Sequence, residues 1–162
     1  KRYALILAGG KGSRLWPIST TNKPKQYLNL YSNNIMINET IKRIESIFEY
    51  DNIFVITNID QKELAERYID NRIPRENIIF EPMSKNTAMC IFYASIRILE
   101  QRENGTITIL SSDHYIDETE KLLNNDKKIE RFIKLTSKIN FISLYFNFLS
   151  IKNKYKLKNP LD

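Results

Sequence analysis

The sequence predicts an α/β fold in which a mainly parallel sheet is covered by helices. Three observations carry that expectation. Short apolar runs alternate with helical stretches of roughly ten to sixteen residues, in the order β-α-β-α-β-α-β. Turn-forming Gly, Pro and Asn residues fall at several of the joins. The 162 residues, 42% hydrophobic and 27% charged, suffice for one globular core but not comfortably for two.

Taken in order, Tyr3 to Ala8 is an unbroken apolar run that ends in glycines, with charges on both sides. It is too short for the apolar core of a signal peptide and reads as a buried strand. A glycine-rich turn follows at 9–12. Between 35 and 50, Ile37, Ile41, Ile44, Ile47 and Phe48 recur at helical spacing. Residues 52–57 form a short apolar strand, and 61–71 a helix stopped by Pro74. A strand at 78–80 runs into Glu81-Pro82. Residues 87–102 are helical, with Asn86 or Thr87 as N-cap and Asn104-Gly105 as the stop. The last strand, 106–110, delivers Ser111-Ser112-Asp113-His114 at its carboxyl end. Ligands of such sheets bind beyond the carboxyl ends of the strands, where the glycine turn and the Asp113 turn both fall.

The net charge of +6 suggests nucleic-acid binding only until it is divided along the chain. Residues 1–118 carry fifteen basic and fifteen acidic side chains, and 119–162 carry ten and four. The motif region is therefore neutral, which argues against a nucleic-acid surface. No run approaches the length of a membrane span. The single cysteine, Cys90, forms no internal disulfide, which suits a reducing, cytoplasmic compartment. It lies on the apolar side of its helix and reads as core.

Three glycines in four positions, Gly9, Gly10 and Gly12, directly follow the first strand. Glycine permits positive φ and lets backbone N–H groups face a ligand without an intervening Cβ, so a row of them makes an anion site. Arg14 adds a forked donor for phosphate oxygens, and Lys23-Pro24-Lys25-Gln26 adds further cations. The spacing fits neither GxxxxGK[ST] nor GxGxxG. The bland alternative is a tight strand-to-helix turn and nothing more.

Gly9-Gly10-x-Gly12-x-Arg14-Leu15-x-Pro17 followed by Pro24-Lys25 resembles the signature of the sugar-1-phosphate nucleotidyltransferases. Arg14-Leu15-Trp16-Pro17 and Pro24-Lys25-Gln26-Tyr27-Leu28 narrow the likeness to the mannose-1-phosphate guanylyltransferases of bacterial type. Glu81-Pro82-x-x-x-Asn86-Thr87-Ala88 and Leu110-Ser111-Ser112-Asp113-His114 fit in the right order, so the likeness covers roughly residues 3–118. It implies a Rossmann-like, GT-A-like nucleotidyltransferase fold, and GMP transfer from GTP to mannose 1-phosphate, giving GDP-mannose and pyrophosphate.

The resemblance also implies roles. The backbone at Ala8, Gly9, Gly10, Gly12 and Ser13 would cradle the triphosphate. Arg14 would stabilise the leaving pyrophosphate, and Lys25 would contact phosphates near the reacting centre. Asp113 would bind Mg2+, a hard cation suited to carboxylate oxygen; the bland alternative for Asp113 is a cap or turn former. Glu81, Asn86 and Thr87 would read the base, because a carboxylate accepts from both N1 and N2 of guanine. Asn86 and Thr87 equally suit helix capping, and Lys11 stays open between phosphate contact and a solvated charge. Trp16 is assigned to packing. His114, the only histidine, takes no role, and no zinc site is supported.

After Glu118 the character changes. Residues 119–137 read as an amphipathic helix, and 136–162 form an unrecognised basic, aromatic-rich tail after a nucleotide-binding half at 1–135. The acceptor-binding strands and second metal aspartate of the family do not appear. The expectation is therefore a truncated N-terminal portion, its tail biased as a truncated or frameshifted reading would be. The alternative function is a non-catalytic nucleotide-binding module of the same fold. An early-cut sheet leaves an apolar edge, which the segment 141–146 would cover or use for self-association into a homo-oligomer.

Overall fold

The computed structural model describes residues 1–10, 15–20, 22–30, 32–83 and 86–113. Four strands form one sheet among them: β1 (Arg2–Leu7), β2 (Ile53–Asn58), β3 (Ile78–Glu81) and β4 (Thr106–Ser111). Their order is β3-β2-β1-β4, and every pairing is parallel. The helices are α1 (Met36–Ile44), α2 (Lys62–Tyr68) and α3 (Thr87–Gln101).

Side chains alternate across the sheet and fill a core on each face. Ala4, Ile6 and Ala8 join Ile53, Val55 and Ile78 against Ile37, Ile41 and Ile44 of α1 and Ala65 of α2. Tyr3 and Leu5 point the other way, with Phe54, Ile56 and Ile79, against Cys90, Ala94 and Ile98 of α3. Those last three residues recur every four positions and so form the buried stripe of one helix. Because β1 and β2 are covered on both faces, each reads as an apolar run without polar alternation. Cys90 is core, as expected.

The chain steps outward from β1 to β2 to β3, and α3 then returns it to the far side of β1, where β4 pairs. Strand order thus reverses between β1 and β4. In open parallel sheets such a reversal marks a ligand-binding crevice beyond the carboxyl ends of the strands.

Two helices are shorter than their periodicity predicts. The helix expected over 35–50 ends at Ile44, and Glu49 is already extended, at φ −62° and ψ 146°. Ile47 and Phe48 nevertheless pack into the core, because the Ile44 carbonyl accepts from both of their amides at 2.9 Å and folds the turn back. The apolar period reports burial, which this turn shares with the helix. Likewise α2 stops at Tyr68, and Ile69 turns extended while staying buried.

At the opposite end of the sheet from the crevice, the fully buried Asn77 acts as a clamp. Its Nδ2 donates to the carbonyls of Asp51 and Ile53, both at 3.0 Å, and its Oδ1 accepts from Arg102 at 3.1 Å. One amide thus ties the approach to β2, the approach to β3 and the end of α3 together. The helix expected over 119–137 and the domain boundary expected at 135 lie outside the described residues, as does the tail beyond it.

Candidate active site

The crevice gathers residues from three separate stretches of sequence. The first is the turn after β1. The Ala8 amide still donates to the Ile56 carbonyl of β2 at 2.8 Å, so the ladder ends there and the chain leaves the sheet at Gly9. Glycine is not demanded here by internal geometry. Neither Gly9 nor Gly10 takes the left-handed conformation, and the positive φ that the glycine pattern suggested is absent at both. A Cβ on Gly9 would make only ordinary contacts, 3.8 Å from the Asn58 amide nitrogen and 3.9 Å from Glu81 Oε2. On Gly10 it would meet nothing within 4 Å. The bare backbone therefore leaves room outside the protein, as close approach by a ligand requires.

The second stretch is a single 3₁₀ turn, Lys25–Tyr27. Tyr27 and Leu28 are buried, and the Leu28 amide closes the turn on the Lys25 carbonyl at 3.0 Å. That anchoring leaves the Lys25 side chain directed across the crevice. Its ammonium stands 3.2 Å from Oδ2 of Asp113, which belongs to the third stretch, just beyond β4. The Ser112 amide donates to the Leu7 carbonyl at 3.1 Å, pinning the turn after β4 to the end of β1. The Ser111 hydroxyl donates to Asp113 Oδ1. Lys25 and Asp113, 88 positions apart, thus meet beside the glycine turn.

Glu81 ends β3, two strands from β1, yet its carboxylate reaches back to Gly9 across the end of β2. The residue is only 7% exposed. Asn86 caps α3, its Oδ1 accepting from the Met89 amide at 2.9 Å, so that oxygen is committed to the helix. Thr87 opens α3 and is exposed. Trp16 corrects its expectation: at 77% exposed it does not pack into the described core. A short apolar side chain at a strand end can be buried by its neighbours. An indole in the loop that leaves the strand finds no such layer. Gly12, Ser13, Arg14 and His114 lie outside the described residues.

Burial, and second the nearby Glu81 carboxylate, push the Cys90 thiol up to about 11. The protonated form therefore persists through neutral pH, with roughly one thiol in a thousand ionised at pH 8. Iodoacetamide alkylation of the native chain should be slow at pH 8. Its rate should rise about tenfold per pH unit to well above pH 9; a plateau near pH 9 would contradict this environment.

Sequence reasoning missed three residues of this region. Gln26, Thr57 and Gln61 are all buried and lie beneath the glycine turn. The Ala8 carbonyl accepts from Gln26 Nε2 at 2.5 Å and from Thr57 Oγ1 at 3.1 Å. Gln61 Oε1 accepts from the same two atoms at 2.6 and 3.0 Å. Only a buried polar residue beside a motif hinted at them, and spacing could not pair them.

As for a metal, no group of three or more His, Cys, Asp or Glu forms a cluster among the described residues. Asp113 offers one hard carboxylate beyond β4, its Oδ2 facing the Lys25 ammonium and its Oδ1 accepting from Ser111. That arrangement fits a cation that takes one or two protein carboxylates and completes its shell with phosphate oxygens and water.

A family model, nucleotidyl transferase, matches residues 3–143. A mannose-1-phosphate guanylyltransferase of Escherichia coli is 38% identical over 114 residues, covering 70% of this chain and 24% of the relative. One of Salmonella montevideo is 31% identical over 137 residues, covering 85% and 29%. The crystal structure of mannose-1-phosphate geranyltransferase from Thermus thermophilus superposes with a TM-score of 0.68 at 27% identity. That likeness covers 76% of this chain and 36% of the other. The chain spans about a quarter of the length of the curated relatives it matches. With the parallel sheet, the glycine turn at the end of β1 and the Lys25–Asp113 pair at the strand-order reversal, the match over 3–143 leaves one assignment: the chain belongs to the nucleotidyl transferase family.

Proposed function

We propose that this chain is the nucleotide-binding portion of a mannose-1-phosphate guanylyltransferase. The convergence of the bare glycine turn with Lys25 and Asp113 carries the reading, and the guanylyltransferase relatives supply the substrates. A phosphate oxygen of mannose 1-phosphate attacks the α-phosphorus of GTP. The bond from that phosphorus to the bridging oxygen breaks, and pyrophosphate leaves with the electron pair. Because the sugar phosphate is already a nucleophile, the protein positions the reactants and neutralises charge.

Backbone N–H groups of Gly9, Gly10 and Gly12, flanked by Ala8 and Ser13, hold the triphosphate. Lys25 contacts phosphate near the reacting centre, and Arg14 binds the departing pyrophosphate. Asp113 holds Mg2+, which when bound supplies charge neutralisation at the phosphates. Glu81, buried at the end of β3, accepts from N1 and N2 of guanine, with Asn86 and Thr87 bordering the base. No helix among the described residues is long and apolar enough to cross a membrane. A cytoplasmic site of action fits soluble substrates of this kind and the unpaired Cys90 thiol.

The test is pyrophosphate release by the purified chain with GTP, Mg2+ and mannose 1-phosphate, run beside ATP, UTP and dTTP. Release selective for GTP is expected. GTP binding without release assigns a non-catalytic module, and no GTP binding at all overturns the nucleotide reading.

A further inference from the structure

We propose that Gln26, assisted by Thr57 and Gln61, is a positioning residue that aims the Gly9 N–H at the phosphates; this rests on the nucleotide reading above. The argument begins with a planar peptide. Trp16–Pro17 is the only cis bond among the described residues, so the Ala8–Gly9 peptide is trans. Its C=O and the Gly9 N–H therefore point in opposite directions. Whatever fixes the carbonyl fixes the amide.

The carbonyl lies just past the last ladder bond of β1, where strand pairing no longer dictates its direction. Two side chains dictate it instead. Gln26 Nε2 carries two protons and spends one on the Ala8 carbonyl and one on Gln61 Oε1. Thr57 carries one hydroxyl proton, within reach of the same two acceptors. Three protons thus serve two oxygens inside a buried cluster, where an unmade hydrogen bond is costly. Gln61 holds Gln26 in place, because its Oε1 faces the second proton. The Ala8 carbonyl is drawn inward, and the Gly9 N–H is turned away from the cluster.

Position 26 has a further geometric consequence. Gln26 adjoins Lys25 in the same 3₁₀ turn, so one turn sets both the amide direction and the place of the ammonium. A side chain without the amide could fill the volume but could not donate twice. The peptide would then be free to rotate, and the Gly9 N–H would lose its fixed direction.

The experiment uses the full chain and three variants, Gln26→Met, Thr57→Val and Asn77→Ala. Asn77→Ala is the control, since it disturbs a buried amide clamp at the far end of the sheet. Backbone amide NMR reports on Gly9, with hydrogen exchange at Ile6 and Val55 as the check on the core. Calorimetric titration with GTP and with tripolyphosphate reports on phosphate. Gln26→Met is expected to shift and broaden the Gly9 amide resonance and weaken both probes about tenfold, the worth of one hydrogen bond to a charged group. Asn77→Ala should lower the melting temperature and leave the Gly9 amide and probe affinities unchanged. An unmoved Gly9 amide in Gln26→Met overturns the proposal, as does a moved amide with unchanged phosphate affinity. Should Gln26→Met not fold, Thr57→Val carries the same criteria with a smaller shift. If the unaltered chain binds neither probe, the nucleotide reading falls, while the Gly9 amide still decides whether Gln26 aims it.

Discussion

Gly10→Ala is expected to fold with an unchanged or slightly raised melting temperature and to lose GTP affinity by about a hundredfold. The added methyl meets no protein atom within 4 Å, and the backbone at Gly10 is not left-handed. Within the protein the substitution therefore adds no clash, and the loss of unfolded-state freedom alone stabilises by about 0.4–1 kcal/mol. The cost falls on the ligand. A phosphate oxygen held at about 2.9 Å from a backbone nitrogen cannot keep that distance with a methyl group between them. Removing two such hydrogen bonds, each to a charged oxygen and each about 1.5 kcal/mol, amounts to roughly a hundredfold. Gly105→Ala gives the opposite result and shows what a structural glycine looks like. Its Cβ would stand 2.3 Å from the Lys1 carbonyl oxygen and 2.9 Å from the Tyr3 ring, so the start of β4 must shift away from β1. That variant should be destabilised by about 3 kcal/mol or more. Thermal unfolding by circular dichroism separates the two. A Gly10→Ala chain that melts early, or that binds GTP like the unaltered chain, removes the case for a ligand at this turn.

The contrast also explains what the sequence could and could not convey. The parallel sheet was legible because β1 and β2 are covered on both faces, so Tyr3 to Ile6 and Ile53 to Ile56 have no polar side to interrupt the run. Element ends were less legible, because Phe48 and Ile69 are buried, and Ile47 half-buried, from turns, and carry the same apolar signal as the helices before them. Among candidate site residues, Asp113 and Glu81 announced themselves by charge at strand ends and Lys25 by its motif, and the fold brings Lys25 and Asp113 into contact. The glycines were legible by type but not by reason: spacing suggested positive φ, whereas Gly9 and Gly10 leave space. Gln26 was legible only as a member of its motif, and Thr57 and Gln61 not at all, since their partners are one backbone carbonyl and one another. Three of their four hydrogen bonds join residues 18 to 49 positions apart, where there is no periodicity to read.

Lys25→Met is expected to leave the fold almost unchanged and to reduce pyrophosphate release by two to three orders of magnitude. The pair with Asp113 is partly solvated, with side-chain exposures of 26% and 38%. Pairs of that kind contribute at most about 1 kcal/mol to stability, so the melting temperature should fall by only a few degrees. Under the proposed function the catalytic effect is larger, because charge would develop where the ammonium stands. Transfer at the α-phosphorus concentrates negative charge on the phosphate oxygens of the reacting centre, and a donor already fixed there needs no reorganisation as the bond breaks. Removing one such donor costs roughly a hundredfold to a thousandfold in turnover. Lys25→Arg keeps the charge but spreads it over a planar fork, and should recover part of the rate without restoring it. Asp113→Asn tests the other partner, since it preserves shape while abolishing the carboxylate charge. In that variant GTP binding should lose most of its Mg2+ dependence while the melting temperature stays within a few degrees. If the pair were only a surface tie, both substitutions would lower stability equally and leave the Mg2+ dependence and turnover intact. Measuring release rates, GTP affinity with and without Mg2+, and melting temperature on the same preparations decides between the two.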